Sequence, residues 1–182
     1  MNYVLKNLPV RTEKPRTTGF TMVMDKGMGI REVENFVEAN SDFVDIVKLG
    51  WATSYLTKNL AQKIQIYKDA GIPVYLGGTL FEAFVIRGQF EDYRRVLEKF
   101  DLSFAEVSDG SISLNHGKKC EYIQELAKQV TVLSEVGSKD AAKIIPPYKW
   151  IEQMQTELSA GAWKVIGEAR EGGNVGLFRD SG

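Results

Sequence analysis

Cysteine is nearly missing from this chain. With Cys120 alone among 182 residues no internal disulfide can form. Cys120 falls in the helical pattern Cys120-Glu121-Tyr122-Ile123-Gln124-Glu125-Leu126-Ala127, where a buried, inert thiol is expected. Histidine is just as scarce. His116 has no cysteine or histidine neighbours, which excludes a transition-metal site of that kind, and its polar setting Asn115-His116-Gly117-Lys118 predicts exposure. There is no excess of one charge: 23 basic against 24 acidic residues give a net charge of −1. Nucleic acid and anionic membranes, which favour a basic face, are therefore not expected partners. No apolar run approaches the ~20 residues of a membrane span. The opening Met1-Asn2-Tyr3-Val4-Leu5-Lys6 lacks the apolar core of a secretion signal, so a cytoplasmic location is expected.

What is present is a repeated unit. Six short apolar runs each end in a polar or glycine cluster: Thr21 to Gly27, Asp45 to Gly50, Pro73 to Thr79, Ala105 to Gly110, Val132 to Gly137 and Val165 to Glu171. Helical patterns separate several of them. Val33, Phe36 and Val37 form one stripe, and Leu60, Ile64 and Tyr67 another. Phe90 to Phe100, Cys120 to Val130 and Tyr148 to Ala160 carry similar patterns. Gly71 and Gly161 stop helices, and Pro146-Pro147 opens the last one. A strand–helix repeat implies a parallel sheet, either open and doubly wound or closed as a (β/α)8 TIM barrel.

Side-chain parity favours the barrel. Residues two apart in a strand share a face, so Ile46 goes with Lys48, Glu106 with Ser108, Leu133 with Glu135 and Glu168 with Arg170. If the apolar partners face the helices, Asp25, Lys48, Glu106, Glu135, Glu168 and Arg170 converge on the other side. An open sheet would cover that face with helices and desolvate the ions, whereas a barrel mouth gives them water and each other. A full barrel takes about 250 residues. The 182 residues supply about six units and end in Gly176-Leu177-Phe178-Arg179-Asp180-Ser181-Gly182, so a single domain spanning 1–182 and cut short at its C-terminus is expected.

Asp25-Lys26-Gly27, Asp45-Ile46-Val47-Lys48-Leu49-Gly50-Trp51-Ala52-Thr53-Ser54, Gly77-Gly78-Thr79-Leu80-Phe81-Glu82, Glu106-Val107-Ser108-Asp109-Gly110, Ser134-Glu135-Val136-Gly137-Ser138-Lys139 and Glu168-Ala169-Arg170-Glu171 resemble, in order and spacing, the phosphosulfolactate synthase family. The resemblance runs from about Arg11 to the last residue. It implies a (β/α)8 barrel and a carbon–sulfur lyase that adds sulfite to phosphoenolpyruvate with Mg2+, giving (2R)-phospho-3-sulfolactate, the first step of coenzyme M biosynthesis in methanogens. The family's usual Trp-Gly-Thr-Ser reads Trp51-Ala52-Thr53-Ser54 here. Two other readings stand beside it: a related barrel lyase acting on another enol phosphate or 2-hydroxy acid, and a non-catalytic relative of the kind associated with heat stress in plants. Six retained charged motifs argue against the last, since a scaffold has no need of costly ions at a barrel mouth.

Each residue has a chemical role to fill. Attack on the methylene of an enol phosphate places dianionic charge on the carboxylate, which a divalent cation stabilises. Mg2+ takes oxygen ligands and keeps several waters, so Glu106, Glu135 and Glu168, at adjacent strand ends, are the candidate ligands. The alternative is charge balance with Lys48 or Arg170. Phosphate, carboxylate and sulfite call for cations, which Lys26, Lys48 and Arg170 supply, while Gly77, Gly78 and Thr79 let backbone N–H groups approach an anion. Lys139, matching the family's lysine after Glu-Val-Gly, is the candidate proton donor, favoured if other cations crowd it, with Lys48 next. Trp51 and Trp163 are expected to pack on helices, and Lys118-Lys119 to form a solvated helix face. The partners are small anions, and a homo-oligomer is left open.

Overall fold

The structure, a computed structural model, describes residues 4–169, 172 and 174–178. Its strands are β1 (Met22–Asp25), β2 (Ile46–Leu49), β3 (Val74–Leu76), β4 (Phe104–Ser108), β5 (Thr131–Val136) and β6 (Lys164–Gly167). Its helices are α1 (Ile30–Asn40), α2 (Thr53–Leu56), α3 (Leu60–Asp69), α4 (Gly78–Val85), α5 (Phe90–Lys99), α6 (His116–Ala127) and α7 (Pro147–Ser159). All ladders are parallel, in the orders β1-β2-β3 and β4-β5-β6, and β3 packs alongside β4 between them.

The punctuation read in the sequence has a structural counterpart at most ends. Gly71, past α3, takes φ 68° and Gly161, past α7, takes φ 113°, both left-handed values that suit glycine. Pro147 opens α7 where its missing N–H costs nothing. Asn115 caps α6 by accepting a hydrogen bond from the Lys118 N–H at 3.3 Å.

Period-2 alternation sorts the strands into two faces. Val47, Leu49, Val74, Leu76, Ala105, Val107 and Val132 pack against Val33, Ile64, Tyr67, Phe81, Tyr93, Leu97, Ile123 and Leu126 of the helices. There Phe81 meets Tyr93 edge-on with centroids 5.6 Å apart, a geometry worth about 0.5–1.5 kcal/mol beyond area burial. The opposite face carries a smaller cluster of Ile46, Tyr75 and Leu133 with Phe20, Met22, Phe104 and Ile166 around them. On this inner face an ionisable residue follows two positions after the apolar one in β2, β4 and β5: Ile46 then Lys48, Phe104 then Glu106, Leu133 then Glu135. Ile166 of β6 precedes Glu168 in the same way. The charges therefore sit in one layer above an apolar floor, at the C-terminal edge where parallel β/α folds place their chemistry.

One member of the expected group faces the other way. Met24, not Asp25, lies opposite Lys48 in the β1–β2 register, so Asp25 pairs with Leu49 and points to the helices. There its carboxylate meets Lys63 at 2.7 Å and Tyr67 at 3.0 Å, and accepts the Gly27 and Met28 N–H groups at 2.8 and 2.9 Å. Asp25 anchors the loop after β1 and is no part of the charged layer. The run Met22-Val23-Met24 is apolar on both faces, so parity carried no signal there.

Candidate active site

Lys48 is the hub of the layer. Its ammonium stands 2.7 Å from Glu106 and 3.4 Å from Glu135, and all three residues are buried. Burial works against the charge on Lys48, but the two carboxylates outweigh it and hold its pKa above the ordinary lysine value. Glu106 is fully buried, and burial pushes its pKa up despite Lys48. One of its oxygens also accepts the Gly78 N–H at 2.7 Å, while the other accepts no hydrogen bond.

Glu135 and Glu168 lie side by side at the ends of β5 and β6, close enough for each to shift the other's pKa. Burial opposes ionisation of Glu135, yet the neighbouring Glu168 and the charges of Lys48 and Lys139 bring its pKa below the usual range. Burial and the neighbouring Glu135 carboxylate push Glu168 up to about 8. The two carboxyls are thus driven apart, Glu135 towards the ionised form and Glu168 towards the protonated one.

Lys139 reaches in from the loop after β5, 3.8 Å from Glu135 and 3.6 Å from Glu168. Among the described residues its ion pairs are with carboxylates, where the sequence reading favours a crowd of cations. Above this group opens a cleft of about 530 Å3 lined by Met24, Lys48, Trp51, Thr79, Ser111, Glu135, Lys139 and Glu168. Ser111 and Lys139 also border a second cleft of about 490 Å3, with Ser113, Ser138 and Lys143.

The glycine pair has a steric function. The Gly77 N–H is bonded to the Leu49 carbonyl at 3.0 Å and the Gly78 N–H to Glu106, so both donors are engaged within the protein. A Cβ on Gly78 would fall 2.6 Å from Ser108 Cβ and 2.8 Å from Glu106 Oε1; one on Gly77 would lie 3.0 Å from Lys48 Cε. Glycine here lets the start of α4 lie against Lys48 and Glu106. Only Thr79 of the triplet reaches the cleft. Lys26 stacks on the Trp51 ring, 4.9 Å from its centroid. Arg170 lies outside the described residues.

Several residues differ from their sequence reading. Trp51 is 55% exposed and walls the cleft instead of packing on helices. It and Ala52 are consecutive left-handed residues, at φ 50° and 57°. Lys119 is not on a solvated face but 1% exposed, bonded to Asp109 and Glu157, and His116 is half-buried beside Glu157. Cys120 is buried, as its helical position predicts. Glu82, part of the Gly77–Glu82 motif but given no role there, is buried on α4 and accepts hydrogen bonds from the Ser108 hydroxyl and the Ser111 N–H.

The donor set suits a hard divalent cation at one place. Glu168 Oε2 accepts no hydrogen bond and Glu135 lies beside it, so the two carboxylates could be offered to one cation. Glu106, drawn aside by Lys48 and Gly78, is not gathered with them. Among the described residues no three His, Cys, Asp or Glu side chains are grouped around a common ion position. Two carboxylates plus water and substrate oxygens are a usual Mg2+ arrangement.

Residues 9–182 match the family described as (2R)-phospho-3-sulfolactate synthase (ComA). Among curated proteins, the phosphosulfolactate synthase of Bacillus subtilis (strain 168) is 40% identical over 184 residues, covering 100% of this chain and 73% of its own length. That of Methanothermobacter thermautotrophicus is 35% identical, covering 96% of this chain and 70% of its own length. That of Methanocaldococcus jannaschii is 38% identical, covering 90% and 68%. Among solved structures, the carboxyl transferase domain of Rhizobium etli pyruvate carboxylase with pyruvate superposes with a TM-score of 0.53 at 14% identity. It covers 81% of this chain, which spans 26% of that one, and the likeness is one of fold. No helix among the described residues is long and apolar enough to cross a membrane.

Proposed function

Since this chain belongs to the (2R)-phospho-3-sulfolactate synthase family, we propose that it adds sulfite to phosphoenolpyruvate at the cleft above Lys48. The buried Lys48–Glu106–Glu135 group beside the Glu135–Glu168 pair carries the reading, because so many ionisable groups in one layer are costly unless used. The parallel sheet, with its apolar inner cluster and charged C-terminal edge, supports its assignment to a (β/α)8 barrel.

In the proposed reaction the sulfur lone pair of sulfite attacks the methylene carbon of phosphoenolpyruvate. The C–S bond forms, the C=C π pair moves onto the carboxylate, and a proton then adds to the carbon bearing the phosphate. Glu135 and Glu168 would hold Mg2+, which would supply Lewis-acid stabilisation of the carboxylate charge. Lys48 contributes a fixed positive charge that Glu106 keeps in place. Lys139 donates the proton from one side of the cleft, which makes the product a single stereoisomer. Trp51 with Lys26, and Thr79 and Ser111, line the outer wall, where the substrate's phosphate is placed. Arg170, two positions past Glu168 in the sequence, is proposed as a forked anion partner.

Incubation with phosphoenolpyruvate, sulfite and Mg2+, followed by mass spectrometry, tests the reading; appearance of phosphosulfolactate is expected. Lys139→Ala should lower kcat by about a hundred-fold or more with KM little changed, as for loss of an acid acting in the transition state. No product from the wild type sinks the proposed reaction, and near-normal kcat in Lys139→Ala moves the acid elsewhere.

A further inference from the structure

Behind β5 the charged layer continues into a second buried cluster that no step of the proposed reaction uses. Lys119 of α6 is 1% exposed. Its ammonium donates to Asp109 Oδ1 at 2.8 Å and to the main-chain oxygen of Glu135 at 2.6 Å, and pairs with Glu157 Oε1 at 2.9 Å. An ammonium has three donors, and all are taken. Helices α6 and α7, the loop after β4 and the end of β5 thus meet at one nitrogen. His116 Nε2 lies 3.1 Å from the same Glu157 oxygen and links the cluster to the surface.

Stability alone is a weak reason for such a cluster, because apolar residues of similar volume commonly serve the interior as well or better. Its position gives a better one. The β4–β5 register ends with Ser108 opposite Glu135, and Lys119 donates to the Glu135 carbonyl at that end. Asp109 directly follows Ser108, and the next residue, Gly110, accepts the Lys139 N–H at 2.9 Å. One ammonium therefore joins the backbone of Glu135 to the loop that holds the backbone of Lys139. We propose that Lys119 is a positioning residue that fixes Glu135 and Lys139 relative to each other, with Glu157 holding Lys119 in place. The proposal rests on the assignment of those two residues to the sulfite-addition site.

The test uses the whole chain with Lys119→Met, Glu157→Gln and the Lys119→Met/Glu157→Gln double variant, which leaves one buried charge fewer if the single Met variant folds poorly. For the folded fraction of either variant carrying Lys119→Met, kcat is expected to fall about ten-fold or more while KM for phosphoenolpyruvate moves less than about three-fold. Glu157→Gln keeps an oxygen acceptor for the ammonium and should lose less than about three-fold. Added to Glu135→Gln, Lys119→Met should cost less than its loss in the wild type, since one of the two groups it aligns no longer acts. Losses that multiply, or that the unfolded fraction accounts for, overturn the proposal. A second readout needs no turnover: labelling of Lys139 by trinitrobenzenesulfonate, followed by peptide mass spectrometry, should speed up about five-fold or more relative to Lys149 when Lys119 is lost. An unchanged ratio also overturns it. If the wild type makes no phosphosulfolactate the assigned reaction fails, and the labelling ratio still decides whether Lys119 sets the loop.

Discussion

Ala52 sits at φ 57°, immediately after Trp51 at φ 50°. A left-handed conformation costs a residue with a Cβ about 1–2 kcal/mol and glycine almost nothing. The phosphosulfolactate synthases that the motif resembles usually carry Gly at this position, and the structure supplies the reason. Ala52→Gly should therefore stabilise the protein by about 0.5–1 kcal/mol, the strain relief less the extra freedom glycine has in the unfolded chain. Urea unfolding measures it, and a lower midpoint for the variant would refute the account. The constraint at this position lies in the backbone dihedral. Lys119 teaches the same lesson from the other side: beside Lys118 in the sequence it reads as one more surface charge, and only the arrival of Asp109 and Glu157 makes its burial tolerable.

At the scale of elements, α4 decides how deep the site lies. It is buried along Gly78, Leu80, Phe81 and Glu82, and its first N–H group binds Glu106. Gly78→Ala would press a methyl against Ser108 and Glu106, and overpacking of this kind costs about 1–3 kcal/mol. The expected result is a moderate loss of stability with a larger loss of kcat, because Glu106 and Lys48 are displaced together. Thermal melts and kinetics on one preparation compare the two, and wild-type kcat in a destabilised variant would detach α4 from the site. The helix was hidden in the sequence: it opens on Gly78 behind a Gly77 cap and has apolar residues nearly all round, so it presents no stripe. The longer helices were legible because each buries one face only, as Tyr93 and Leu97 do on α5.

For the whole molecule, the Glu168 carboxyl links stability to pH. Its folded-state pKa of about 8 lies above the ordinary value of 4.5, so the folded protein binds a proton in that interval which the unfolded chain releases. Its contribution is fully present below the ordinary value, declines as pH rises, and is gone above about 8. Glu135, with its pKa depressed, is ionised in both states across this window and adds no slope. In metal-free buffer the wild type should thus lose stability from pH 6 to pH 9, and Glu168→Gln should flatten that decline. Parallel curves for the two proteins would show that Glu168 does not take up the extra proton on folding. The sequence by itself determined the alternation of strands and helices, the family, and the strand ends at which the charges lie, because these follow from local periodicity and motif order. Only the tertiary structure decided which face Asp25 takes, that Glu106 turns to Lys48 and Gly78 while Glu135 turns to Glu168, and that Lys119 lies inside. Those outcomes depend on register between strands distant in sequence and on which opposite charges burial forces together, and neither is encoded in the spacing along a single segment.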